Sequence, residues 1–201
     1  MESFVQPTIR RSSGKQRLIA AADKLFSQAS FDDVSVAELL EESGLKAPSL
    51  YHHFGDKEGL YVAWVKSAIQ TTGASLPTYS DEMEPVAMMN AIAETLTQAA
   101  PLDVLQIGKD LKNVKSNGKA AEVSRLMQSE IIEPVSKAIA LAQKGGFFPE
   151  GDLPELTRLF LHSTMFSHPN YAGVNGDLAS LGDSTHEVVV AWFCGNLPRS
   201  A

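Results

Sequence analysis

The stretch from Ser35 to Leu60, SVAELLEESGLKAPSLYHHFGDKEGL, leaves a folding chain few options. Ser35 stands three residues before Glu38. In that arrangement the hydroxyl accepts from the Glu38 amide and the carboxylate reaches back to the Ser35 amide, so a helix is expected to start here. Val36, Leu39 and Leu40 repeat at i, i+3, i+4 and give this helix one apolar face. Gly44 is the expected stop, because the residue after a helix commonly needs positive φ and glycine takes it without a Cβ clash. Pro48 fits only the first turn of a new helix, where its missing N–H is no loss. That second helix runs through Leu50, Tyr51, His52, His53 and Phe54. Leu50 and Phe54, four apart, anchor it inward, and Ser49, Tyr51, His52 and His53 cover the remaining surface. Asp56 then caps a further helix with Leu60, Ala63, Trp64 and Ser67 on one face.

Two short helices joined by a glycine turn have the layout of a helix-turn-helix, in which the second helix enters the DNA major groove. The residue order adds to the layout. GLKAPSLYHHFGDKEGL resembles the signature of the TetR family of bacterial transcription repressors, roughly Gly-Val-Ser-x-x-x-Leu-Tyr-x-His-Phe-x-x-Lys-x-x-Leu. Gly44, Leu50, Tyr51, His53, Phe54, Lys57 and Leu60 match it residue for residue, and Ser35-Val36 matches the usual Thr-Val entry. The resemblance spans roughly residues 14 to 62. One position departs: Lys46 stands where the family commonly has a capping serine, so that cap must be replaced and Lys46 becomes a candidate phosphate contact.

The resemblance implies that Tyr51 and Lys57 bind the sugar-phosphate backbone, contacts that orient a protein without reading sequence. Ser35, at the start of the first motif helix, is placed to meet a phosphate as well as to cap. Ala47, Ser49 and His52 are the candidates for base edges, Ala through its methyl and Ser and His through short hydrogen bonds. His53 completes the exposed set.

Charge supports a local nucleic-acid face. The 201 residues carry a formal net charge of −7, which argues against a surface that grips nucleic acid throughout. Yet Arg10, Arg11, Lys15, Arg17 and Lys24 cluster near the start, against only Glu2 and Asp23. Beside the motif this basic arm is expected to touch DNA. The single cysteine, Cys194, excludes an intrachain disulfide and reads as a buried small hydrophobe. No apolar run approaches a membrane span or a secretory signal, so the expected setting is the cytoplasm.

The rest of the chain also reads as helical. Leu18, Ala21, Ala22, Leu25 and Phe26 predict a first helix over about 14–28. Residues 73–85, with Gly73 and prolines, break the pattern. Beyond them come helices marked by Met89, Ile92 and Leu96, then by Leu105, Ile107 and Leu111. A long pattern over 119–144 contains Pro134, where a kink is expected. Asp152 caps a helix that reaches Ser167, and Ser184 with Glu187 opens a last one. No alternating strand pattern stands out. The expected fold is all-α: a three-helix helix-turn-helix head over 13–56, a connecting helix over 57–72, and a ligand-binding and dimerisation body over 83–197.

Outside the head no constellation carries chemistry. His162, His168 and His186 lack the spacing of a metal site, no cofactor motif is present, and no convergent catalytic groups point to an enzyme. The numerous methionines and aromatics of the body fill a core, and the family resemblance implies that part of them lines an apolar pocket. Its expected lining is Trp64, Met89, Ile92, Leu126, Met127 and Glu130, the last orienting a polar end or a cation. A two-fold homodimer is expected through Leu156, Leu159, Phe160, Ser163, Thr164 and Ser167 on one helix and Val188, Val189, Trp192 and Phe193 on the last. The resulting reading is a repressor that binds a palindromic double-stranded operator as a dimer and is released by a small, largely apolar effector. The alternative is a helix-turn-helix regulator controlled by a protein partner.

Overall fold

The structure, a computed structural model, describes residues 13–78, 84–98, 104–114 and 117–166; the expectations for Arg10, Arg11, Ser167, Val188, Val189, Trp192 and Phe193 lie outside them. The described residues contain helices and no strand. They divide into two compact units with the division between Trp64 and Val65.

In the first unit, α1 (Gly14–Phe26) opens with a capping box: Ser13 Oγ accepts from the Gln16 amide and the Ser13 amide donates to Gln16 Oε1. Its apolar stripe buries Leu18, Ala21, Ala22 and Phe26. The helix ends two residues before the expected Gln28, where the Gln28 amide tightens onto the Leu25 carbonyl three residues back. α2 (Val36–Ser43) carries the expected Ser35–Glu38 box and ends at Gly44 with φ 61°. α3 (Ala47–Phe54) starts without a side-chain cap at Lys46, and Pro48 is its second residue. The lost cap is offset only by the proline's preset φ and by a turn bond from the Ser49 amide to the Lys46 carbonyl. α4 (Lys57–Ser75) follows, with Asp56 Oδ1 accepting from the Gly59 amide at 2.6 Å.

The core of this unit is one aromatic cluster over two buried leucines, Leu39 and Leu50. Phe26 packs edge-on to Tyr61 at 4.9 Å between ring centroids and lies 5.5 Å from Trp64; Phe31 meets Tyr61 at 5.1 Å. Rings buried at these distances add about 0.5–1.5 kcal/mol per pair beyond area burial. Trp64 belongs here: it is 2% exposed and its indole N–H donates to Asp23 Oδ1 at 2.9 Å. Its place is the core of the head, where its one polar atom already has a partner.

In the second unit, α5 (Pro85–Gln98) buries Met88, Met89, Ile92 and Ala93. α6 (Val104–Asn113) follows, then α7 (Asn117–Met127). The expected kink at Pro134 takes the form of a π-helical segment, Gln128–Ile132, before α8 (Glu133–Lys144). The Glu133 amide reaches five residues back to the Gln128 carbonyl, and Pro134 becomes the second residue of α8, where no amide is needed. Across from this segment, a Cβ added at Gly73 of α4 would lie 2.8 Å from the Glu130 carbonyl oxygen, so the two backbones touch. An ion pair between Lys66 of α4 and Glu122 of α7 joins the same helices. α8 turns at Gly145-Gly146, and α9 (Leu153–Phe166) begins under Asp152, whose Oδ1 accepts from the Glu155 amide. α5, α8 and α9 pack on one another around Val135, Ala138, Ile139, Ala142, Phe148 and Phe160.

Two of the residues expected at an interface are buried within the second unit. Phe160 is 0% exposed, with its ring 6.3 Å from that of Phe148, and Thr164 is equally buried, its hydroxyl donating to the Phe160 and Leu161 carbonyls. Both lie with Thr157 and Leu161 on the inward face of α9 and belong to the subunit's own core. Leu159, at 46% exposure, lies on the outward face, flanked by the half-buried Leu156 and Ser163.

Candidate nucleic-acid interface

The surface of α3 follows from its two anchors. Leu50 is fully buried and Phe54 is partly so. His52 lies two residues from each, and at about 100° per residue it points away from both. It is exposed, as is Tyr51 at 54%. Ser49 and His53, four apart, share a flank that abuts the start of α1. A Cβ added at Gly14 would stand 3.2 Å from Ser49 Oγ and 3.3 Å from His53 Nε2. The His52 and His53 rings sit edge-on at 5.1 Å. Of the three candidate base readers, Ala47 and Ser49 are half-buried and His52 is open to solvent. Lys15, Ser35 and Lys46 are exposed.

Two cations expected at phosphates also hold backbone carbonyls of the head. Arg17 Nη2 donates to the Ser43 carbonyl at 2.6 Å and to the Gly44 carbonyl at 3.2 Å, across the C-terminal end of α2. Lys57 Nζ donates to the carbonyls of Phe31 and Val34 at 2.8 and 2.9 Å and lies 4.1 Å from the centre of the Phe31 ring. These carbonyls belong to the loop that leads into Ser35 and α2. Neither arrangement has a sequence signal, since the partners are 23 to 27 residues apart.

At the N-terminal end of α2, hydrogen bonds from the side chain and the backbone of Ser35 hold the Glu38 carboxyl below its ordinary range. A further ion pair, Lys24 to Glu42 at 2.7 Å, ties α1 to α2. The Ser13–Gln16 box has its signal in the Ser-x-x-Gln spacing, whereas the close approach of the Phe54 carbonyl to Gly59 has none.

In the body, Met89 and Ile92 lie on the buried face of α5, Leu126 and Met127 are half-buried at the end of α7, and Glu130 is half-buried in the π-helical segment. Beside Met89, Asn90 has a buried Oδ1 that no donor among the described residues reaches. His162 is exposed on α9, while His168, His186 and Cys194 lie outside the described residues. Among the described residues no helix is long and apolar enough to cross a membrane.

A short helix that buries one face, set after a glycine turn and presenting an open outer face, defines a helix-turn-helix DNA-binding head on a chain whose described residues are helical. Residues 18–64 match the model of the family described as "Bacterial regulatory proteins, tetR family". It is 36% identical over 90 residues to the HTH-type transcriptional repressor BdcR of Escherichia coli (strain K12), a match covering 45% of either protein, so the chain spans less than half the length of that relative. It is 24% identical over 168 residues to the HTH-type transcriptional regulator UidR of the same strain, over 82% of this chain and 81% of UidR. A bacterial regulatory protein in the tetR family from Rhodococcus RHA1 shares the fold with a TM-score of 0.71 at 14% identity, over 91% of this chain and 98% of that one.

Proposed function

We propose that the protein is a dimeric transcription repressor whose head binds a near-palindromic operator and whose body holds a small, largely apolar effector that releases it. The observation that carries the DNA half is the open outer face of α3, with His52 at its centre, on a head that matches the tetR family. BdcR, similar over the head and beyond it, is named a transcriptional repressor. His52 reads base edges, Ala47 and Ser49 border it, and Tyr51, Ser35, Lys46, Lys15 and the arm residues Arg10 and Arg11 hold phosphates. The site of action is then the cytoplasm.

The effector half rests on α5 and the π-helical segment. Met89, Ile92, Leu126 and Met127 supply an apolar lining, and Glu130 and Asn90 supply polar anchors. A buried acceptor without a donor costs about 1–3 kcal/mol, which a ligand N–H or O–H aimed at Asn90 Oδ1 would recover. An effector that weakens operator binding must itself be bound less well by the DNA-bound form, by the same factor.

Dimerisation rests on the outward face of α9. Leu159, Leu156 and Ser163 lie there, and Leu141 and Phe147 are exposed large apolar groups near the α8–α9 turn; Val188, Val189, Trp192 and Phe193 lie outside the described residues. A lone head reads few base pairs, whereas two heads about 34–36 Å apart address successive major grooves. The test is selection of duplexes from a random-sequence pool, followed by the mass of the complex. Two chains on a near-palindromic sequence are expected; recovery of unrelated sequences, or one chain per duplex, overturns the reading.

A further inference from the structure

We infer that the π-helical turn is a register device that sets Glu130 on α4, beside Thr72, as the anchor for a protonated amine, so that the effector is an apolar molecule with a cationic head; the inference rests on the effector reading of the body.

The turn resolves a mismatch of spacing between two helices. Lys66 and Gly73 stand seven residues apart on α4. Their partners, Glu122 on α7 and Glu130 in the π-helical turn, stand eight apart. An α-helix advances about 100° per residue, so seven residues return to one face and eight overshoot it by about 80°. A π-helical turn takes up the additional residue. Glu122 thereby keeps Lys66 while Glu130 comes onto Gly73. There a Cβ would stand 2.8 Å from the Glu130 carbonyl oxygen, 2.9 Å from its Cβ and 3.3 Å from its Oε2. Pro134, four residues after Glu130, has no amide, so the α-helical bond that would draw this carbonyl back into the helix cannot form.

The carboxylate so placed is half-buried and meets no cation among the described residues. It accepts from the Ser129 hydroxyl at 3.3 Å, and the lysine of α4 on the same side, Lys66, is taken by Glu122. Next to Gly73, Thr72 is 6% exposed. Thr71 and Ser75 of the same helix turn their hydroxyls back to the carbonyls of Ser67 and Thr71, whereas Thr72 makes no such bond. Asn90 offers a further acceptor, the buried Oδ1 that no donor among the described residues reaches.

A carboxylate accepts only, and so does an amide oxygen. The head group that matches such a lining carries donors and no acceptor. An alkylammonium has three N–H donors and a charge opposite to that of Glu130, whereas a carboxylate head has neither. A cation also offsets the desolvation that a half-buried carboxylate bears alone.

The experiment is calorimetric titration of the full chain with octylammonium, octan-1-ol and octanoate, each below its aggregation concentration, at neutral pH and one ionic strength. The three share an apolar tail and differ in the head group. The chains compared are the parent, Glu130→Gln, Thr72→Val and, as a control for net charge, Glu133→Gln, which alters an exposed carboxylate three residues on. We expect the parent to bind octylammonium about 10-fold more tightly than octanoate, with octan-1-ol between them. Glu130→Gln should remove that preference, Glu133→Gln should keep it, and Thr72→Val should weaken the amine and the alcohol together. Octanoate bound as tightly as octylammonium overturns the inference, as does a preference that survives Glu130→Gln or disappears with Glu133→Gln. Unchanged binding by Thr72→Val overturns the place of Thr72 in the site. The ranking of the three probes by the parent decides the head group even where a variant fails to fold. If none of the three binds the parent, the effector reading of the body fails first and takes this inference with it.

Discussion

The Phe54 carbonyl, at the end of α3, lies against Gly59 in the first turn of α4 so closely that a Cβ there would stand 2.0 Å from its oxygen. The turn from Phe54 through Asp56 is thereby folded back onto α4, and the Asp56 carboxylate seals it by accepting from the Gly59 amide. No rotamer relieves a clash between a Cβ and a backbone carbonyl, so the backbone itself must move. Gly59→Ala is expected to destabilise the head by about 1–3 kcal/mol, measured by denaturant unfolding, and to weaken operator binding through a displaced α3. Parent-like stability in Gly59→Ala would mean the two segments are not in contact.

Adjacent residues on α9 should behave in opposite ways. Phe160→Ala empties a core position and should cost about 3–5 kcal/mol. Leu159→Glu should leave the subunit's stability nearly unchanged and shift the protein from dimer to monomer at micromolar concentration. Sedimentation separates the two effects, and a Leu159→Glu variant that stays dimeric removes this face from the interface.

The Ser35–Glu38 capping box makes the head acid-sensitive in a defined window. Hydrogen bonds from Ser35 lower the folded-state pKa of Glu38 from 4.5, so the unfolded chain binds the proton more readily. This contribution is fully present above the unfolded value and is lost as pH falls through the folded one. Glu38→Gln keeps the cap geometry and removes the titration. The melting temperature of the parent should therefore fall further than that of the variant between about pH 5 and about pH 3. Parallel curves would show that the box does not titrate with folding.

Asn90→Leu replaces a buried acceptor that no donor among the described residues reaches with an apolar side chain. The melting temperature without effector should hold or rise, since removing an unsatisfied group of this kind is neutral to stabilising. Effectors found by their ability to release operator should lose affinity for the variant. A fall of several degrees in the parent-to-variant melting temperature would show that the Asn90 amide has a structural partner.

What could be read from the sequence was what a single turn encodes. Ser35 with Glu38, Gly44, Pro48, Asp56 and Asp152 each act within about four residues, and each does what its chemistry demands. Contacts across the chain left no such trace. Trp64 shares a helical stripe with Leu60, and no local pattern signals that its indole donates to Asp23, 41 residues away. Leu159 and Phe160 are both large and apolar, and only the rotation of α9 decides which one faces inward. Pro134 announced a disturbance, but periodicity does not count the one additional residue that a π-helical turn absorbs. The bonds of Arg17 and Lys57 to backbone carbonyls left no trace in the sequence, because carbonyl partners carry no residue identity.

The most direct test of the central claim is a base-substitution series on the selected operator, read with the parent and with His52→Ala. The exposed His52, pointing away from Leu50 and Phe54, should make the parent discriminate at one or two positions in each half-site by about 1–3 kcal/mol. In His52→Ala that discrimination should vanish at those positions and persist elsewhere, with the salt dependence unchanged. If His52→Ala keeps the parent's preference at every position, α3 does not read DNA through this face and the account of the site is wrong.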